Sequence, residues 1–252
     1  SLCRETVESE KRITGLSLPC SFSLYISVPF CPSRCSYCSF VSHSVEQAKG
    51  LIPRYVDLLV REIEKTAEIS ASLGLRLETV YIGGGTPTSL TAAQLSAVMS
   101  AVAGNFDLSH LREYTVEAGR PDTVTTEKLK AIKALGVTRI SINPQTMNDR
   151  VLERIGRRHT SEDTVKAFML ARKCGFDNIN TDLIAGLPGD DFKSFRDTLR
   201  RVLELEPESV TVHSLAMKKA STLNINGEFP EAQAGKTADM MVEYARKTLT
   251  EA

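Results

Sequence analysis

Six short runs rich in β-branched and aromatic residues alternate along the chain with stretches whose apolar residues recur every three or four positions. The runs are Leu24–Val28, Thr79–Ile82, Tyr114–Val116, Arg139–Ile142, Asn178–Ile184 and Ser209–Val212. Few folds accept that order. Strands separated by helices run parallel and are joined by right-handed crossovers, which makes the chain an α/β protein. The clearest helix opens at Thr91 with the capping-box spacing Thr91-x-x-Gln94, carries Leu95, Val98, Met99 and Val102 on one face, and stops at Gly104. A second runs from about Thr125 through Leu129, Ile132 and Leu135 to Gly136. A third follows Thr160, with Glu162 and Asp163 in its first turn and Val165, Phe168 and Met169 inward. Further helices fit Pro53–Leu73, Asp191–Leu205 and Lys236–Thr250, and Ser221–Gly235 reads as a long loop. A chain of 252 residues, 42% of them hydrophobic, can bury one substantial core.

Composition excludes several classes. Lys+Arg and Asp+Glu both number 31, a balance that argues against a nucleic-acid-binding face. No apolar run approaches the ~18 residues of a membrane span. Six cysteines are too sparse for a disulfide-stapled secreted scaffold, and no apolar signal segment opens the chain, so a reducing cytoplasm fits. Cys3, Cys20 and Cys174 stand alone and read as ordinary thiols, Cys174 buried late in a helix. The other three form the run Cys31-Pro-Ser-Arg-Cys35-Ser-Tyr-Cys38, spaced C-x₃-C-x₂-C directly after the first strand. Three thiolates in one loop can hold three corners of a 4Fe–4S cubane and leave the fourth iron open to a non-protein ligand. The run also admits a structural zinc, with His43 completing a Cys₃His set.

Crossover sheets bind ligands at the carboxyl ends of their strands. Unusual polar or glycine residues stand at all six such ends. The first delivers the cysteine loop, the second Gly83-Gly-Gly85-Thr86-Pro-Thr88, the third Glu117 and the fourth Gln145. The fifth carries Asp182 and then Gly186-Leu-Pro-Gly189, and the sixth His213 and Ala216. Asp182 lies in an otherwise apolar strand and would need a partner if buried.

The run from Tyr25 through Cys31, Cys35 and Cys38 to Phe40 resembles the cluster loop of the oxygen-independent coproporphyrinogen III oxidase family of radical S-adenosylmethionine (SAM) enzymes. So do Tyr81-Ile-Gly-Gly-Gly-Thr-Pro-Thr88, Ile155-Gly-Arg157-Arg-His-Thr160 and Asn180-Thr-Asp182-Leu-Ile-Ala-Gly-Leu-Pro-Gly189. The runs Thr115-Val-Glu117-Ala-Gly-Arg-Pro-Asp122 and Ile142-Asn-Pro-Gln145-Thr-Met-Asn148 resemble its coproporphyrinogen dehydrogenase (HemZ-type) branch. The similarity covers nearly all of residues 22–225.

The resemblance implies a partial TIM-type barrel, (β/α)6, with parallel strands and outer helices over 22–252. Residues 1–21 would be a lead-in from an N-terminal region, and the family's C-terminal region would be absent. It implies a 4Fe–4S cluster on Cys31, Cys35 and Cys38, with SAM on the open iron and, in some members, a second SAM. Gly84, Gly85 and Thr86 would meet the methionine moiety where no Cβ intervenes. Glu117 would accept from ribose hydroxyls, and Tyr25 and Tyr37 would line the adenosine pocket. Gln145, Arg157, Asp182 and Ala216 match SAM-contacting positions, with Arg157 forked onto a carboxylate. His213 stays outside the set.

The implied activity is an oxidoreductase of haem biosynthesis. One electron, from a low-potential donor, passes through the cluster and cleaves SAM. The radical so formed abstracts hydrogen from a propionate of coproporphyrinogen III, which loses carbon dioxide and one electron to become a vinyl group. Two departures bear on this. The oxidases carry a further cysteine where this chain, like the family's haem-carrier branch, has a phenylalanine, Phe40, so the alternative partner is haem and the alternative role haem trafficking. And without the further regions, the chain alone would bind SAM yet fail to turn over a porphyrinogen.

Overall fold

The computed structural model of the protein describes residues 7–8, 10–12, 14–15, 17–40, 43–216, 221–225 and 231–251. Six strands, β1 (Ser21–Val28), β2 (Arg76–Gly84), β3 (Glu113–Glu117), β4 (Arg139–Ser141), β5 (Ile179–Ala185) and β6 (Ser209–Ser214), form one sheet in sequence order. Every pairing is parallel, with Tyr25 opposite Tyr81, Ile82 opposite Val116, Val116 opposite Ile140, and Asp182 opposite Thr211. β1 and β6 are the two edges, so the barrel is partial. The helices of six or more residues are α1 (Ile52–Ser72), α2 (Ala92–Asn105), α3 (Thr126–Ala134), α4 (Asp149–Arg154), α5 (Ser161–Lys173), α6 (Phe192–Leu203) and α7 (Glu231–Glu251). Among the described residues no helix is long and apolar enough to cross a membrane.

Local chemistry accounts for the helix starts. Thr91 accepts from the Gln94 N–H while Gln94 accepts from the Thr91 N–H, and Thr160 and Asp163 repeat the device on α5. The core lies between sheet and helices. Ile26, Val28, Val80, Ile82, Val116 and Ile140 pack with Val56, Leu59 and Ile63 of α1, Leu95 and Met99 of α2, and Ile132 of α3. A second cluster joins Leu183, Phe195, Leu199 and Met241, and a third seats Val151, Leu152 and Ile155 of α4 against Ile184 and Leu187. Each such side chain, fully buried, contributes about 1.5–3 kcal/mol.

The opposite sheet face is polar, and hydrogen bonds cross it from edge to edge. Ser23 accepts from Thr79, Arg139 donates to Glu113, Asn180 and Ser209, and Thr211 donates to Asn180. Alternation along the strands places most apolar side chains outward against the helices and most polar ones inward, with Ile184 as the inward point where α4 packs.

Three expectations need correction. Met169 is 49% exposed, because the α5 stripe follows Thr164, Ala167, Phe168 and Ala171 instead. The six-residue α4 has no counterpart in the sequence reading. Ser221–Gly235 is not all loop: Thr222–Ile225 is helical and α7 starts at Glu231, while residues 226–230 lie outside the described set. Cys174 caps α5, partly buried against the core, and Cys3 lies outside the described residues.

Candidate functional site

The cysteine loop leaves β1 through Pro29 and is pinned on several sides. Phe30–Cys31 pairs with His43–Ser44, Ser89 Oγ donates to the Phe30 carbonyl, and Ser33 Oγ donates to the Gly156 carbonyl. The Ser36 N–H donates to the Ile155 carbonyl, and the Leu223 N–H donates to that of Ser36. Strand β2 comes to lie under the loop through its glycines. Gly84 has φ +106, and a Cβ there would stand 2.8 Å from Ser27 Oγ. A Cβ on Gly85 would meet the Phe30 carbonyl at 2.8 Å and Cys31 Sγ at 3.0 Å. Gly84 therefore supplies clearance to the end of β1, and Gly85 to the cysteine loop itself.

One pocket collects the strand ends. Cys31, Cys35, Tyr37, Cys38, Gly84, Gly85, Thr86, Glu117, Gln145, Arg157 and Asp182 all line it. Its cavity volume of about 180 Å³ is below the roughly 300–1,000 Å³ of small-molecule sites, and the cleft opens to solvent. Tyr25 and Ala216 are not among its lining residues. Tyr25 is 60% exposed and stacks on Tyr81 with centroids 5.9 Å apart; Ala216 is exposed beyond the end of β6. Tyr25 still reaches the site indirectly, since the Tyr81 hydroxyl donates to Glu117.

Phe40 lines the pocket too, and sequence reasoning missed Ser33, Arg34, Gly119, Arg120 and Asn143, which also line it. Gly119, Arg120 and Asn143 follow the carboxyl ends of β3 and β4, so the rule that found Glu117 and Gln145 reaches them too. Asn143 holds the floor together: its Oδ1 accepts from the Asp182 N–H at 3.2 Å, and its carbonyl accepts from Arg157.

The side chains are poised for ligands that the protein itself does not provide. Arg157 is 7% exposed, yet its Nη1 donates to the carbonyls of Asn143 and Gly119 rather than to a carboxylate, and Nε has no partner. Gln145 adopts φ +71, a conformation that costs a non-glycine residue about 1–3 kcal/mol, and its buried Oε1 is unpartnered. Burial raises the Cys38 thiol pKa, opposed by the Phe40 backbone and reinforced by Cys35 and Cys31. Burial likewise raises the Tyr37 phenol, beside Arg157 and Cys35. Glu117 is raised by burial, opposed by the Tyr81 hydrogen bond and reinforced by Asp182.

The donor set bears on the metal. Three thiols face one pocket, whereas His43, which a zinc site would need as fourth ligand, is exposed and paired through its backbone to Pro29 and Phe30. Among the described residues, no three His, Cys, Asp or Glu side chains are gathered closely enough to hold a single ion. Thiols spread around a pocket suit the corners of a multinuclear cluster better than one zinc. A buried guanidinium without a carboxylate and an orphaned amide oxygen fit a zwitterionic ligand beside it.

Residues 25–202 match the profile of the Radical SAM superfamily, and the chain belongs to that superfamily. Membership implies a 4Fe–4S cluster and SAM as cofactors. Within the superfamily, the chain is 41% identical over 224 residues to the oxygen-independent coproporphyrinogen-III oxidase-like protein HemZ of Bacillus subtilis (strain 168), covering 88% of this chain and 45% of that one. It is 39% identical over 199 residues to the heme chaperone HemW of the same organism, covering 78% and 51%. The structure of coproporphyrinogen III oxidase (HemN) from Escherichia coli, described as a radical SAM enzyme, superposes with a TM-score of 0.79 at 29% identity over 91% of this chain and 52% of that one. The chain thus spans about half the length of these relatives.

Proposed function

We propose that this chain is the cofactor-binding core of a cytoplasmic radical SAM oxidoreductase that oxidatively decarboxylates coproporphyrinogen III propionates to vinyl groups in haem biosynthesis. The observation that carries the proposal is the convergence of three thiols, Arg157, Gln145, Glu117 and Asp182 on one pocket at the carboxyl ends of the strands. Cys31, Cys35 and Cys38 would hold the cluster and leave one iron open to SAM. When bound, the pair supplies one-electron cleavage of SAM to a hydrogen-abstracting species.

The protein's own part is orientation and exclusion of water. Arg157 would fork onto the SAM carboxylate, Gln145 Oε1 would accept from its amino group, and Glu117 would accept from ribose hydroxyls. Gly84, Gly85 and Thr86 would flank the methionine end, with Tyr37 beside it; Asp182, and Tyr25 through Tyr81, would border the adenosine side. Ala216 would come into contact only through a second SAM or the substrate. No general base is required.

A second reading is haem trafficking. Phe40 favours it: the ring is 63% exposed at the pocket where the family's oxidases carry a further cysteine. The deciding experiment is anaerobic reconstitution with iron and sulfide, then reduction with SAM and coproporphyrinogen III, on this chain and on the full-length protein. Loss of one and then two carbon dioxide units, matched by 5′-deoxyadenosine, supports decarboxylation. SAM cleavage with intact porphyrinogen in the full-length protein, together with stoichiometric haem binding, replaces it with the carrier.

A further inference from the structure

Arg120 leaves the end of β3 three residues after Glu117 and turns toward the cysteine loop. Only 2% of it is exposed. Its Nε and Nη2 donate to the two carboxylate oxygens of Asp122 at 3.2 and 3.3 Å, a forked clamp that fixes the guanidinium plane. The remaining capacity goes to the loop. Nη2 donates to Ser33 Oγ at 3.1 Å, and Nη1 reaches the Ser33 carbonyl at 3.3 Å and Cys35 Sγ at 3.8 Å. Behind the clamp lies His159, its side chain fully buried with Nδ1 3.8 Å from Asp122. Burial and the adjacent Arg157 push its pKa down to about 4, so it stays neutral at pH 7 and adds no second cation to the clamp.

The three thiols are therefore not equivalent. Cys31 Sγ accepts from a neutral hydroxyl, Thr86 Oγ1 at 3.4 Å, whereas Cys35 Sγ faces a buried, permanently charged donor. A cluster held by three thiolates is anionic and gains a further negative charge on reduction. Hydrogen bonds and fixed positive charge at its sulfurs favour the reduced state and raise the potential.

We propose that Arg120, clamped by Asp122, is a positioning residue for the iron–sulfur cluster: it holds the Ser33–Cys35 turn against the end of β3 and raises the reduction potential through Cys35 Sγ. The proposal rests on the reading of Cys31, Cys35 and Cys38 as cluster ligands. It goes further in making the two members of the clamp act with opposite sign.

Anaerobically reconstituted wild type, Arg120→Gln, Arg120→Lys and Asp122→Asn are assayed for iron and sulfide and titrated potentiometrically with electron paramagnetic resonance detection. Arg120→Gln keeps a donor but loses the charge, and its potential shifts negative. Arg120→Lys keeps the charge and stays nearer wild type. Asp122→Asn removes the counter-charge and shifts the potential positive. A purely structural strut would lower cluster content in all three without opposite shifts. Wild-type potentials in loaded Arg120→Gln and Asp122→Asn overturn the proposal. If Arg120→Gln loads no cluster, Asp122→Asn decides alone: a positive shift sustains the proposal, and an unchanged or negative one ends it. A wild-type protein that takes up no cluster removes the underlying reading instead, an outcome visible in the iron assay before any titration.

Discussion

The two walls of the pocket follow opposite electrostatic plans. On the side reached from the ends of β3 and β4, two buried guanidiniums, Arg120 and Arg157, stand beside Cys35, and one carboxylate, Asp122, is forked onto Arg120. On the other, the ends of β3 and β5 present Glu117 and Asp182, with Tyr81, Tyr25 and His213 outside the pocket lining: Tyr81 donates to Glu117 and stacks on Tyr25, and His213 lies 4.0 Å from Asp182. One wall offers donors to anions and the other acceptors to hydroxyls.

Removing what the cationic wall surrounds has the largest effect. In Cys35→Ala, iron and sulfide after anaerobic reconstitution fall to background and SAM cleavage is undetectable, while far-ultraviolet circular dichroism is unchanged. Full loading of that variant would break the comparison, because the guanidiniums would then surround nothing. Next comes Arg157→Lys, which keeps the charge and loses the fork. A hydrogen bond to a charged group is worth about 1.5–3 kcal/mol, so SAM binding measured by calorimetry weakens about 10–100-fold with cluster content retained. An affinity within about twofold of wild type would assign the carboxylate to another donor.

Gly84 and Gly85 form the seam of β2 with β1 and the cysteine loop, and the third prediction tests it. Gly85→Ala forces a Cβ against Phe30 O and Cys31 Sγ, and overpacking of this kind costs about 1–3 kcal/mol. Urea unfolding should shift to a lower midpoint, with incomplete cluster loading. Gly104 in α2 is the control: a Cβ there meets nothing within 4 Å, so Gly104→Ala stabilises by about 0.5–1 kcal/mol. Equal effects at both positions would mean that the seam has room to relax.

The fold and much of this pocket were legible in the residue pattern because their determinants are local. Thr91 and Gln94 state their own helix start, and polar or glycine residues after each strand fall at the carboxyl edge whatever the packing. What escaped is tertiary. α4 spans under two turns, too few for a period to declare itself. Whether Arg120 turns to solvent or to Cys35 depends on where the loop after β1 lands, eighty-odd residues away. Gln145 gives no sign in sequence of its left-handed backbone, which is held by the Asp182 carbonyl accepting from its N–H and by the Ile184 N–H donating to its own carbonyl. Ala216, just beyond the end of the edge strand β6, does not line this pocket.

The smallest expected effect lies on the acidic wall, in the cofactor-free protein. Burial and the neighbouring Asp182 hold the Glu117 pKa above its ordinary value of 4.5, against the pull of the Tyr81 hydroxyl. A carboxyl raised in the folded state binds more protons than in the unfolded chain across the interval between the two pKa values. Its contribution to stability is therefore complete below the unfolded value and is lost as pH rises through the folded one. Glu117→Gln keeps an acceptor for Tyr81 and removes the charge. Its urea midpoint, measured across a pH series, should match wild type near pH 4 and exceed it at pH 7, while its affinity for SAM falls. Asp182→Asn should recover part of the same gain by removing the Coulombic contribution alone. If Glu117→Gln is the less stable protein at every pH, the carboxylate is already satisfied within the fold, and the acidic wall is a structural feature rather than a site held open for a ribose.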